Sequence, residues 1–119
     1  MKQEIQIRGQ SIQEFMLSLQ KNIPNSWIWG EVNPETGIAD SFYYPLRYHA
    51  VSGEEYEFSF LCKPLSHICK LATVEYLNSP AEYEFTDERY NELVDKVYND
   101  IIVPKSTNAD ITITVVWLD

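Results

Sequence analysis

Thiol and imidazole chemistry in this chain rests on four side chains: Cys62, Cys69, His49 and His67. These types bind zinc, but C-x4-H-x-C is not a ligand spacing and no C-x2-C pair is present. His49 is also expected on the opposite sheet face from Cys62, so no metal is expected. A Cys69 nucleophile would need a base within hydrogen-bond reach. His67, two residues away, diverges from it on a helix and stands too far off along a strand. With four glycines in the chain, no Gly-rich phosphate loop can be drawn. Seven acids between residues 82 and 100 have the pattern of a solvated face rather than an acid–base pair. No catalytic residue and no cofactor are assigned, and a non-enzymatic protein is expected.

The remaining cluster is "SFYYPLRYHA", residues 41–50, where four aromatic rings surround Arg47 and His49. Pairing arguments divide it into two faces, because a one-residue slip turns every side chain over. A two-residue Ser52-Gly53 loop would set Tyr48 against Glu57. A three-residue loop, Ser52 to Glu54, instead pairs Ala50 with Tyr56, Tyr48 with Phe58 and Leu46 with Phe60, which makes one face uniformly apolar. Taking "NPETG" as a five-residue loop adds Val32 opposite Ile38 and Ile28 opposite Phe42. Phe42, Tyr44, Leu46 and Tyr48 are then core. The second face carries Trp27, Trp29, Tyr43, Arg47 and His49, with Glu57 opposite His49. Left bare, that face has the aromatic-plus-arginine composition of a binding hot spot. Covered by helices, it is a second core with a cross-strand charge cluster. Pro45 cannot donate a ladder hydrogen bond and argues for a strand near the sheet edge.

The elements that must position these residues are legible in outline. Ile5 and Ile7 alternate with Glu4 and Gln6 in a strand over 2–8. "SIQE" has the form of a capping box, with Ser11 as cap, for an amphipathic helix over 12–21. Segments 26–32, 38–51 and 56–62 are rich in aromatic and β-branched residues and predict an antiparallel meander. Residues 65–77 fit a helical stripe through Leu65, Ile68, Cys69, Ala72 and Tyr76, and helix is expected there. Thr86 caps a helix that Pro104 stops, with Asp87 and Glu88 in its first turn, Tyr90, Leu93, Val94, Val97, Tyr98 and Ile101 inward, and Glu92, Asp95 and Asp100 largely off that stripe. "ITITVVWL", 111–118, is apolar enough on both faces to predict a central strand. The expected fold is one α+β domain over 1–119. Its sheet, antiparallel or mixed, has four to six strands with two or three helices packed on it.

The net charge of −9 disfavours direct nucleic-acid binding and favours a basic partner. No window spans a bilayer, the first residues lack a signal peptide's apolar core, and two cysteines make no disulfide framework. A cytoplasmic protein without membrane partners is expected. Three functions fit. The first is a small acidic inhibitor that masks a basic partner, the class occupied by bacterial immunity and phage counter-defence proteins. Its binding residues would be Trp27, Trp29, Tyr43, Arg47, His49, Glu88, Glu92 and Asp95. The second is a small-ligand module, for an anion or a nucleotide-like molecule, using the aromatic-plus-arginine face. The third is a homo-oligomer that buries that face against itself.

Overall fold

A computed structural model describes residues 1–107 and 110–118 of the chain. Its elements are β1 (Lys2–Gly9), α1 (Ile12–Ser18), β2 (Trp27–Trp29), β3 (Asn33–Pro34), β4 (Phe42–His49), β5 (Glu55–Lys63), β6 (Ile68–Tyr76), α2 (Asp87–Val97) and β7 (Ile111–Leu118). The seven strands form one antiparallel sheet ordered β2-β4-β5-β6-β1-β7, with β3 also on β4. This is an α+β fold with more strands than expected, because the segment before residue 38 supplies two short strands instead of one and Ile68–Tyr76 forms a strand where a helix is expected. The first strand in sequence sits inside the sheet.

Burial alternates strictly along β4 from Tyr44 and along all of β5: Tyr44, Leu46, Tyr48, Tyr56, Phe58, Phe60 and Cys62 are buried, and none of their neighbours is. That is the period-two signature of a sheet with one covered face. Both helices lie on the covered face. Ile12, Phe15 and Met16 of α1 and Tyr90, Leu93, Val94 and Val97 of α2 join Ile5, Ile7 and the β4–β5 aromatics in one core. Each fully buried large side chain contributes roughly 1.5–3 kcal/mol.

Four expectations are corrected. Residues 65–77 are not helical: a short 3-10 turn, Pro64–Ser66, leads into β6. A bulge at Ser59/Phe60 leaves Ala72 without a partner, between Leu71 opposite Phe60 and Thr73 opposite Ser59. Buried positions therefore fall at 69, 71 and 74. The bulge breaks the alternation that would have identified the strand. Ser11 makes no side-chain cap. Its hydroxyl turns to Asp110 Oδ2 at 3.4 Å, and α1 ends at Ser18. β7 is not central: it pairs with β1 alone and forms a sheet edge.

The fourth correction is register. The β4–β5 turn is Val51–Gly53, closed by Ala50 N–H donating to Glu54 O at 2.9 Å, with Gly53 last in the loop at φ +96°. Glycine in the left-handed region at that position is the preferred three-residue hairpin. The turn lies one residue earlier than expected, so the pairs become Tyr48 with Tyr56 and Leu46 with Phe58. A two-residue change of register preserves the faces. The slip at β2 does not. Trp27 pairs with Tyr48, Ile28 with Arg47 and Trp29 with Leu46, an odd offset from the expected pairing, so both tryptophans move to the core face.

Candidate functional site

The expected site separates into three places. Trp27 is buried, with its ring 4.5 Å from Tyr48 and 5.2 Å from Phe58. Its indole N–H donates to Asp100 Oδ2 at 3.1 Å, and Lys96 Nζ donates to the same oxygen at 3.0 Å. The hydrogen bond to Asp100 raises the Lys96 pKa. Trp29 donates its indole N–H to Leu19 O at 3.0 Å, which satisfies a carbonyl at the open end of α1. Both tryptophans therefore hold helices onto the sheet; Trp27 is buried away from Arg47, while the half-buried Trp29 also borders the concavity that Arg47 and His49 line.

Tyr43, Arg47 and His49 do share the uncovered face. Arg47 Nε lies 3.3 Å from Glu57 Oε1, and His49 Nδ1 lies 3.2 Å from Glu55 Oε1. Both side chains are thus engaged by carboxylates from the neighbouring strand. Ile28, 58% exposed, takes the place expected for the tryptophans. With Pro45, Arg47, His49 and Glu57 it lines a shallow concavity of about 520 Å3. Pro45 sits where the ladder passes from β3 to β2, and only its carbonyl is used there, accepting from Gly30 N–H at 2.8 Å. A residue with no N–H suits that gap. Glu35 beside the Tyr43 phenol holds its pKa above the usual value.

Of the acids expected off the inward stripe of α2, Glu92 and Asp95 are exposed, whereas Asp100 is half-buried where it accepts from Trp27 and Lys96. Thr86 Oγ1 accepts from Arg89 N–H at 3.1 Å and starts α2. Its apolar stripe turns inward, which leaves Glu88, Glu92 and Asp95 exposed along one outer stripe. Glu92 is held by Arg89 Nη1 at 2.9 Å. Glu88 and Asp95 make no ion pair among the described residues. The ridge therefore presents carboxylates that are only partly neutralised.

A fourth group escapes sequence reasoning. On the uncovered face, Leu61 pairs with Lys70 and Lys63 with Ile68, while β1 places Arg8 opposite Ile68. Leu61, Lys63, Ile68 and Lys70 line a concavity of about 160 Å3. None of Arg8, Lys63 and Lys70 makes an ion pair among the described residues. The only sequence signal is alternation in β6, which the bulge obscures.

Cys62 and Cys69 face each other across β5 and β6, both fully buried. The hydrogen bond between them lowers the Cys62 pKa and raises that of Cys69, whose burial pushes it further up. His67 is exposed in the turn before β6 with φ +54°. Among the described residues no three His, Cys, Asp or Glu side chains are grouped to hold a metal, and no helix is long and apolar enough to cross a membrane. Compared with known proteins, the chain matches no family model, no curated protein and no solved structure.

Proposed function

We propose that this is a non-enzymatic binding protein that docks the acidic ridge of α2 on a basic partner protein and masks that surface. The observation that carries the reading is the single exposed stripe of Glu88, Glu92 and Asp95, two of whose carboxylates are unpaired among the described residues. The net charge of −9 adds long-range attraction, which accelerates encounter with a cationic surface roughly 10- to 1,000-fold. Arg47 and His49, each paired to a glutamate, form the rim of a separate face and are not needed for this contact.

The test is capture of a basic protein from source cells at low salt, followed by kinetics of the purified pair. The triple variant Glu88→Lys, Glu92→Lys, Asp95→Lys should lose at least roughly tenfold in association rate, the lower end of electrostatic steering. Added salt should slow the wild type in the same way. An unchanged rate for the variant at low salt removes the ridge from the mechanism.

The small-ligand reading survives in a different place. Lys63 and Lys70, without an ion pair among the described residues and beside Leu61 and Ile68, suit a small anion with an apolar arm better than Arg47 and His49, which already contact Glu57 and Glu55. Thermal stabilisation by short-chain carboxylates, lost in Lys70→Ala and kept in Arg47→Ala, would favour it over the ridge.

A further inference from the structure

β7 presents the long edge of the sheet, and no described residue pairs with that edge. Its eight residues pair with β1 on one side, and the other row of backbone groups meets no strand among the described residues. "ITITVVWL" carries no charge and no proline, the two devices that most often protect an edge. The opposite edge is protected: β2 has three residues and β3 two, one of them Pro34. The helix layer also stops short of β7. Ile111, Ile113, Val115 and Trp117 continue the inner row of Ile5 and Ile7, yet Val115 is 39% and Trp117 60% exposed. An open ladder and an uncovered apolar row coincide on one strand.

We propose that β7 pairs antiparallel with β7 of a second copy about a two-fold axis, so that the sheet and its inner apolar row run through a homodimer. Residues directly opposite in an antiparallel pair point to the same side, so a register centred on Val115 sets inner row against inner row. Ile113 then stands opposite Trp117 of the second copy, and Thr112 opposite Leu118 of the second copy.

Charge selects a second copy as the occupant. Two chains of −9 repel wherever carboxylates meet, and β7 is an eight-residue strand with none. A basic partner strand would gain nothing from that neutrality. The same pairing would cover the Val115 and Trp117 side chains that one chain leaves exposed. The contact is isologous and closes on itself. Glu88, Glu92 and Asp95 supply no residue to the strand pair, so dimerisation and partner docking are tested separately.

Sedimentation velocity of the whole chain over a wide dilution series tests this. The expected result is a two-chain species that dissociates on dilution. Val115→Lys and Trp117→Lys should each be monomeric at every concentration, with unchanged far-ultraviolet circular dichroism. A wild type that is monomeric throughout, or a dimer that persists in both lysine variants, overturns the proposal. Should a lysine variant fail to fold, Val115→Cys decides. The two-fold sets the new thiol against its own copy, so mild oxidation should yield a covalent dimer; failure to cross-link overturns the register.

Discussion

Trp27, Ile28 and Trp29 are consecutive, and their exposures follow the strand's alternation: Trp27 is 3% exposed and Ile28 58%. Trp27→Ala should therefore cost about 3–5 kcal/mol, through lost packing and an empty cavity. Ile28→Ala should stay within about 0.5 kcal/mol, as a surface change does. Urea denaturation of both variants checks the register, and the reverse order would restore the tryptophans to the outer face. Tyr56 supplies a pH dependence. Burial, then the hydrogen bond it donates to Glu54, pushes its pKa from 10.0 to about 12, against the opposing effect of Arg89. A raised folded pKa means stability that is complete below pH 10 and is lost as pH rises towards 12. Across that window one proton is worth about 1.4 kcal/mol per pH unit. Tyr56→Phe should lower the slope of stability against pH by about that amount, with the remaining slope coming from the other groups whose pKa values are raised, Tyr43, Tyr44, Tyr76, Tyr90, Lys96 and Cys69. Thermal melts between pH 10 and 12 measure it, and an unchanged slope would show that Tyr56 does not hold its proton as the geometry requires.

At the scale of elements, the two helix starts look alike in sequence and differ in structure. Thr86 caps α2 through its hydroxyl, while Ser11 gives only its backbone carbonyl to α1 and sends its hydroxyl to Asp110. Thr86→Ala should cost about 1 kcal/mol, and Ser11→Ala should change stability by less than about half of that, since no cap is lost. Equal costs by chemical denaturation would contradict the difference in capping. The difference arises because β7 returns beside β1 and brings Asp110 to the start of α1, a contact between positions far apart in sequence. β6 carries the same lesson. Its residues have strand propensity, but the bulge spaces Cys69, Leu71 and Val74 irregularly, and only the ladder with β5 shows why.

For the whole molecule, charge and layering act together. Eighteen acidic residues against nine basic ones impose self-repulsion on a compact chain, because like charges are brought closer on folding. Raising ionic strength from low to moderate should raise the thermal midpoint by a few degrees, as screening within a Debye length of about 10 Å at 0.1 M relieves that repulsion. A midpoint that falls with salt would mean that the ion pairs of Arg89, Lys96 and Arg47 outweigh it. Layering decides what is available for binding. With both helices on one face, no helix among the described residues covers the other side of the sheet, and the sheet ends in an uncharged strand.

The sequence by itself determines the class of fold, most strand and helix positions, the inward stripe of α2 and the outward Glu92 and Asp95, though not the half-buried Asp100. Those follow from local periodicity, in which each residue's neighbours are a few positions away. It also determines that Tyr44, Leu46 and Tyr48 share a face, since parity within a strand survives a two-residue change of register. Tertiary structure alone decides which face Trp27 and Trp29 join, that Arg8, Lys63 and Lys70 meet, and that β7 is an edge. Each depends on how one strand is placed against another, and turn length, a bulge and strand order set that placement. A single-residue difference in any of them reverses a face, which is why the tryptophans become core and the surface passes to Ile28, the lysines and the last strand.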